Sequence, residues 1–369
     1  MTVIQPKAPD SNWADSYFQP GLLQAPPYSL DLTKTPIKLD QNEVPWDFPA
    51  ALKERVQERV RTRAWNRYPS PYTPELTEAI ARYVGVPATS VFTGPGSNYL
   101  ITVVLDALGR RLSGKVIVAR PSFALFESHC RYTGIAHEPW ELDGDFEYDL
   151  TKLRDMPRGS LVIFASPNNP TGSRIPAEKL GELLQAHPQS LFIADEAYFE
   201  FGSDNYVALL AQHANLLLLR TFSKTMGAAG VRLGYVVGAE AFIKQLVKLR
   251  LPYLLNHFAV EGVLAILEDP EMITFCRNNV RTLISERDRV HRALAPLASA
   301  QGFKLKNTAA NFLFAQWPTA ERCRTFYDGL VAKGILVRDV SKGPGLQGCL
   351  RISVGSPQEN DALLRAVLG

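Results

Sequence analysis

Short, continuously apolar segments that alternate with helical stretches constrain the fold of this chain more than any other feature. Such segments are typical of buried strands in a mostly parallel sheet that helices cover on both faces. The pattern therefore predicts an α/β fold with a three-layer α/β/α domain. The predicted strands are Val116–Ala119, Leu161–Ala165, Leu191–Ala194, Leu216–Leu219 and Leu233–Val237.

The length of 369 residues predicts two domains, because single hydrophobic cores rarely grow to that size. Residues 50–265 hold the alternating strands and helices, and we expect them to form the large domain. Residues 1–49 are rich in proline and predict an extended arm. Residues 266–369 begin with a long helical pattern over Glu271–Leu297 and continue with shorter strands and helices. Together with the arm, they predict a smaller α+β domain.

Composition and charge argue against several classes of protein. The net charge is +3, and the basic residues are mixed with acids, so we expect no nucleic-acid partner. The four cysteines lack C-x-x-C spacing and the six histidines lack ligand spacing, which predicts neither a disulfide framework nor a metal site. We see no apolar run that fits a signal peptide or a membrane span. These features predict a cytoplasmic protein.

Polar motifs follow the predicted strands, where ligands bind in open α/β sheets. The first is the turn from Thr93 to Asn98, which opens a helical run through Ala107. Its backbone N–H groups and the helix N-terminus suit a phosphate, which Ser97 and Asn98 are placed to bind. A capped helix after a tight turn is the alternative. Tyr99 replaces the third glycine of a dinucleotide fingerprint, which argues against a nicotinamide-dependent dehydrogenase.

Two further motifs place an amide and a carboxylate at strand ends. Ser166–Gly172 contains Asn169 before a proline and is suited to present an amide to a ligand, although a plain strand-ending turn has the same composition. Asp195 follows a buried strand and needs a positive partner, because a bare buried carboxylate is costly. A protonated ring nitrogen of a ligand would satisfy it, and so would a structural salt bridge.

The fourth motif, Arg220–Lys224, places a lysine beside hydroxyl groups in an apolar, glycine-rich turn. Burial would lower the pKa of Lys224, which suits a residue that forms Schiff bases and carries protons. A surface lysine is the alternative. Thr221, Ser223 and Arg232 are expected to form a phosphate site beside it.

These motifs occur together in a known family. S-P-N-N-P-T-G, D-E-A-Y and T-F-S-K followed by G-x-R-x-G stand in this chain in the order and at the spacing of the fold-type I pyridoxal-phosphate-dependent aminotransferases, class I and II. The resemblance extends to N-R-Y-P at Asn66–Pro69 and to C-L-R-I-S-V-G at Cys349–Gly355. It covers nearly the whole chain after the arm, and within the family it is closest to the histidinol-phosphate aminotransferases.

The resemblance implies pyridoxal phosphate as the cofactor and a role for each matching residue. Lys224 holds the cofactor as a Schiff base and moves a proton between the substrate Cα and the cofactor. Asp195 pairs with the pyridinium nitrogen. Asn169 and Tyr198 hydrogen-bond the phenolic oxygen, and Phe123 stacks on the ring. The cofactor phosphate is assigned to Ser97, Asn98, Thr221, Ser223 and Arg232, and to Tyr68 of a neighbouring subunit, which implies a homodimer with shared active sites.

The resemblance also assigns four residues to the substrate. Arg351 matches an arginine that binds a carboxylate in many aminotransferases, and with Arg338 it matches a pair that grips a substrate phosphate. Two guanidinium groups suit a dianion better than one does. An ion pair of Arg338 with Asp339 is the alternative. Tyr28 and Asn42 match residues that close over the substrate.

We therefore expect a transaminase that converts L-histidinol phosphate and 2-oxoglutarate into imidazole-acetol phosphate and L-glutamate, in histidine biosynthesis. Its partners would be a phosphorylated amino alcohol and a 2-oxo acid. An aromatic aminotransferase and a threonine-phosphate decarboxylase are alternatives with the same cofactor. A regulator of the same fold would carry a basic DNA-binding segment, and the first fifty residues show no pattern of that kind.

Overall fold

The structure, a computed structural model, describes residues 13–25, 34–202 and 205–369. Within these ranges the strands are β1 (Ile37–Leu39), β2 (Val91–Gly94), β3 (Val116–Arg120), β4 (His137–Glu141), β5 (Leu161–Ala165), β6 (Leu191–Asp195), β7 (Leu216–Thr221), β8 (Gly234–Gly238), β9 (Lys304–Asn307), β10 (Phe312–Gln316), β11 (Ile335–Asp339) and β12 (Cys349–Ser353). The α-helices are α1 (Pro20–Leu23), α2 (Ala50–Arg61), α3 (Pro74–Val84), α4 (Ser97–Leu108), α5 (Leu125–Thr133), α6 (Ala177–Ala186), α7 (Glu240–Leu246), α8 (His257–Leu267), α9 (Pro270–Gln301), α10 (Ala320–Ala332) and α11 (Pro357–Leu368).

A seven-stranded sheet of order β2-β8-β7-β6-β5-β3-β4 forms the centre of the larger layer. Its neighbouring strands are parallel except for β8, which is antiparallel to β2 and β7. Alternate residues of β7 belong to two separate hydrophobic clusters. Leu216 and Leu218 pack in one cluster, and Leu217 and Leu219 pack in the other. Both faces of the sheet are therefore covered, and the predicted α/β/α fold with a mostly parallel sheet is confirmed.

A second sheet, of order β1-β11-β12-β10-β9, forms the predicted smaller α+β layer. β1 comes from the N-terminal segment and pairs in parallel with β11, whereas the other neighbours are antiparallel. Helices α9, α10 and α11 contribute apolar side chains to its core, including Val290, Tyr327 and Leu363. The domain limits of 1–49, 50–265 and 266–369 stay predictions.

Helix α9 packs against α8 of the larger layer and against β9 and α11 of the smaller one. It begins after Asp269, whose side chain accepts hydrogen bonds from the backbone N–H groups of Glu271 and Met272. It ends at Gly302, whose φ of +68° closes the helix in the left-handed region. Among the helices of the described residues, we find none with the length and apolar character that a membrane crossing requires.

Candidate active site

Asp195 and Lys224 lie at the same edge of the large sheet. Strand β6 ends at Asp195, and the neighbouring parallel strand β7 ends at Thr221, with Asp195 opposite Leu219. Because the carboxyl ends of parallel strands meet at one edge, the turn that carries Lys224 begins beside Asp195. The chain thus brings the acid and the amine of the predicted chemistry to one end of the sheet.

The side chain of Asp195 is buried in a way that favours a cationic partner. It is 5% exposed, and one carboxylate oxygen accepts a hydrogen bond from the backbone N–H of Ala197 at 2.9 Å. Burial raises its pKa to about 7, an effect that this hydrogen bond opposes and the charge of Glu196 reinforces. A protonated ring nitrogen that enters the site would relieve the cost of this burial.

Lys224 is held as a reactive amine. It is partly buried, and its Nζ donates a hydrogen bond to the backbone oxygen of Gln41 at 2.6 Å. Burial lowers the pKa of Lys224 to about 8; the charge of Arg351 lowers it further, and that of Glu43 opposes both. At neutral pH a useful fraction of the amine is uncharged, which suits a nucleophile and a base. These contacts contradict the alternative of a surface lysine.

Asn42 and Tyr198 form a buried hydrogen-bonded pair. Asn42 Nδ2 donates to Tyr198 Oη at 2.9 Å, and the Asn42 side-chain oxygen accepts from Ser353 Oγ at 2.6 Å. The φ of Asn42 is +55°, in a region that asparagine tolerates better than most residues. Burial raises the pKa of Tyr198, against the charge of Arg351 and the bond from Asn42. The phenol therefore keeps its proton and can donate it to a ligand.

Arg351 links the loop after β5 to the segment after β1. Its Nη1 donates to Asn169 Oδ1 at 2.5 Å, and its Nη2 donates to the backbone oxygen of Asp40 at 2.5 Å. Because the oxygen of Asn169 accepts this bond, its NH₂ group is the part that can donate to a ligand. The neighbouring Asn168 is fully buried and instead fixes the loop, since its oxygen accepts from Ser122 Oγ at 2.6 Å.

Two turns meet around Arg232 and form a cradle for an anion. A Cβ on Gly96 would lie 2.7 Å from Arg232 Nη2, and the φ of Gly96 is +86°, so the turn before α4 requires glycine there. Arg232 Nη1 donates to Ser223 Oγ at 3.3 Å, and Thr221 Oγ1 donates to the same oxygen at 3.0 Å. The N-terminus of α4 adds a partial positive charge. Hydrogen bonds join Thr221, Ser223 and Arg232, whereas Ser97 and Asn98 are placed nearby as the first two residues of α4.

Arg338 and Arg351 lie directly opposite each other on β11 and β12. Opposite residues project from the same face of an antiparallel pair, with Cβ atoms about 5 Å apart, and like charges at this spacing repel each other. The arrangement favours an anion between the two groups. No ion pair between Arg338 and Asp339 is found among the described residues; Asp339 Oδ1 instead accepts from the backbone N–H of Ser341 at 2.9 Å.

The remaining predicted residues have different placements. Phe123 is partly buried and packs edge-on against Phe126, with ring centroids 5.8 Å apart. Tyr68 is 79% exposed and stacks on Tyr253, with centroids 4.4 Å apart. It therefore lies on the surface of its own chain, and its contribution to a neighbouring subunit stays a prediction. Tyr28 lies outside the described residues.

Three residues of this site were not predicted from the sequence. Ser353 stands two positions after Arg351 on β12 and so shares its face of the strand, which is the signal that could have revealed it. Gln41 acts through its backbone oxygen, for which its side chain gives no signal. Asp40 is 2% exposed although it precedes a polar segment.

The family model described as aminotransferase class I and II matches residues 34–367. The chain belongs to this family. The aminotransferase is 34% identical over 334 residues to the histidinol-phosphate aminotransferase of Thermoanaerobacter pseudethanolicus, an alignment that covers 89% of this chain and 92% of the relative. It is 33% identical over 353 residues to histidinol-phosphate aminotransferase 1 of Carboxydothermus hydrogenoformans, covering 95% and 97% of the two chains.

Among solved structures, the histidinol-phosphate aminotransferase of Sinorhizobium meliloti in complex with pyridoxal-5'-phosphate matches with a TM-score of 0.81. The match covers 95% of this chain and 96% of that chain at 24% sequence identity, and it shows that the two share a fold.

Family membership confirms the predicted class of enzyme and its cofactor, pyridoxal phosphate. The site of this aminotransferase fits that group. Asp195 is a buried carboxyl group whose hydrogen bond comes from the backbone N–H of Ala197, which leaves it available to a cationic ring nitrogen. Lys224 supplies an amine of lowered pKa, and the cradle around Arg232 suits a phosphate. When bound, the cofactor supplies an aldehyde for amino groups and a ring that accepts electrons.

Proposed function

We propose that this aminotransferase converts L-histidinol phosphate and 2-oxoglutarate into imidazole-acetol phosphate and L-glutamate in histidine biosynthesis. The names of the two relatives support this substrate. The observation that carries the proposal is the pairing of Arg338 with Arg351, because a phosphate dianion satisfies two guanidinium groups. Arg351 also contacts Asn169, so an anion held there is next to the residues assigned to the cofactor ring.

Each residue of the site has a defined task in this proposal. The neutral amine of Lys224 takes the proton from the substrate Cα and returns it to the cofactor, so one group is both base and acid. Asp195 keeps the ring nitrogen protonated, and Tyr198 and Asn169 donate hydrogen bonds to the phenolic oxygen. The same pocket binds the amino donor and then the 2-oxo acid, which predicts ping-pong kinetics.

Arg338→Ala is expected to lower kcat/KM for L-histidinol phosphate by about 10- to 100-fold, because a charged hydrogen-bonding partner of the dianion is lost. Turnover of phenylalanine should change by less than about 3-fold, since Arg351 alone can bind a carboxylate. Steady-state assays with both substrates measure the two values. Arg324→Ala is the matched control, because Arg324 is an exposed arginine of α10 that pairs with Asp328.

An equal loss for phosphorylated and unphosphorylated substrates would remove the phosphate role of Arg338. Phosphothreonine belongs in the same panel, with carbon dioxide release as the readout. Carbon dioxide release that exceeds amino-group transfer would instead favour a phosphoamino-acid decarboxylase.

We further propose that the enzyme is a cytoplasmic homodimer with shared active sites. The four cysteines are free and buried, as expected in a reducing compartment. Exposed aromatic side chains suggest a surface that a second copy covers. They are Trp65, Tyr68, Tyr72 and Tyr253.

A hybrid dimer tests the shared site. Subunits with Tyr68→Ala are mixed with subunits that carry Lys224→Ala, and each parental dimer is expected to be impaired at both sites. In the hybrid, one site combines an intact Lys224 with an intact Tyr68, so activity is expected to rise to about half that of the wild type per hybrid dimer. Activity that never exceeds the mean of the two parents would mean that Tyr68 serves its own chain.

A further inference from the structure

Asp40 is a buried carboxylate to which the proposed mechanism gives no task. It follows β1 and is 2% exposed. Within residues 13–25, 34–202 and 205–369, neither of its carboxylate oxygens has a hydrogen-bond partner. The Nζ of the exposed Lys38 lies 4.0 Å from Asp40 Oδ1, which is the longest distance at which the two groups count as an ion pair. Burying a carboxylate with so few partners is unfavourable for folding, so its presence calls for a functional reason.

The backbone around Asp40 is fixed by two cations of the site. Its own carbonyl oxygen accepts from Arg351 Nη2, and the next carbonyl, that of Gln41, accepts from Lys224 Nζ. The following residue, Asn42, bonds to Tyr198. Asp40 is therefore part of the wall of the site.

The charges that act on the amine of Lys224 come from three parts of the fold. Arg351 on β12 and Arg232 before β8 favour the neutral amine, whereas Glu43 and Asp40 after β1 favour the charged one. At the end of β6, Asp195 and Tyr198 lie at the same edge of the sheet. A further cation, Arg338, follows on β11. The register of β1 and β11 pairs Leu39 with Val337, so the next residues of the two segments are Asp40 and Arg338.

The two acids differ in their contact with solvent. Glu43 is exposed, so water and salt screen its charge, whereas the charge of Asp40 acts through the protein interior. Salt is therefore expected to weaken the effect of Glu43 on Lys224 much more than the effect of Asp40.

We propose that Asp40 is a positioning residue whose buried carboxylate is the countercharge that balances Arg351 and Arg232 at the amine of Lys224. This inference rests on the role of Lys224 in the proposed function. The lysine must carry a proton between its removal from Cα and its delivery to the cofactor. A fixed anion in the wall of the site stabilises that protonated form, and the structure retains it at the expense of stability.

The first test measures how fast the cofactor-free protein captures pyridoxal phosphate as a function of pH, followed by absorbance. Only the uncharged amine attacks the aldehyde, so the midpoint of the rate profile reports the protonation of Lys224. In Asp40→Asn, loss of the anion is expected to lower this midpoint by about 0.5 to 1 pH unit. Glu43→Gln should give a shift that disappears at about 1 M salt, whereas the Asp40→Asn shift persists.

The second test is the melting temperature of the cofactor-free protein. Asp40→Asn is expected to melt at a higher temperature than the wild type, because an unfavourable buried charge is removed. An acid with a purely structural task would give a lower melting temperature and an unchanged midpoint, which would overturn the proposal. Serine is also small and neutral, so Asp40→Ser must shift the midpoint by the same amount as Asp40→Asn. If neither variant shifts the midpoint, the proposal is also overturned.

Lys224→Ala separates this inference from the function on which it rests. If that variant captures the cofactor at the wild-type rate, then another amine is the reactive one, and the assignment of Lys224 is wrong. If Lys224→Ala captures none and Asp40→Asn has the wild-type midpoint, then only the role of Asp40 is wrong.

Discussion

Lys224→Ala is expected to lower turnover by about 10⁴-fold or more and to remove the absorption of covalently bound cofactor. The variant lacks both the amine that holds the cofactor and the only group assigned to proton transfer at Cα. The structure makes this amine suitable because burial lowers its pKa to about 8. Absorbance spectra and steady-state assays on the same preparation measure the two effects.

Lys179→Ala is the matched control, because Lys179 is an exposed lysine whose ion pair with Glu182 stays within one helix. It should keep the absorption and the turnover of the wild type. An added small amine is expected to restore part of the turnover of Lys224→Ala, since it can replace the lost base. A variant that keeps the covalent absorption would show that the cofactor is held by a different lysine.

The sequence allowed the prediction of strands that are buried on both faces, but not of strands at sheet edges. β5 reads Leu-Val-Ile-Phe-Ala and is buried throughout, so its pattern alone identifies it. β4 was missed because Trp140 is its one buried residue and the strand lies at the edge of the sheet. β1 was missed because three residues in a proline-rich segment become a strand only through pairing with β11.

The candidate site shows the same division between local and long-range information. Asp195 and Lys224 could be predicted because each follows a recognisable strand within a motif. That Arg338 and Arg351 face each other depends on the register of β11 and β12, which composition does not determine. The bond from Lys224 to Gln41 joins distant segments through a backbone oxygen, so no side-chain pattern reports it. Tertiary contacts thus supply what the motifs lack, namely the charges around the amine.

Asp195→Asn is expected to lower turnover by about 10³-fold, because an amide cannot hold a positive charge on the ring nitrogen as a carboxylate does. Asp195→Glu keeps the charge and should retain more activity than the asparagine variant. Steady-state assays of the two variants with saturating cofactor measure the difference. If both variants lose activity equally, the geometry of the pocket rather than the charge of Asp195 is the decisive factor.

The same residue predicts a pH dependence of stability in the cofactor-free protein. Its pKa in the folded chain is about 7, above the ordinary value of 3.8, so the folded state binds the proton more tightly than the unfolded state. The contribution to stability is therefore fully present below about pH 4 and is lost as the pH rises to about 7. Melting temperatures across this range should fall less in Asp195→Asn than in the wild type, whereas Asp328→Asn, which changes an exposed acid, should follow the wild type. Bound cofactor supplies the missing cation, so the wild-type slope should also flatten in the holoenzyme; a slope that is the same with and without cofactor would mean that Asp195 does not face the ring nitrogen.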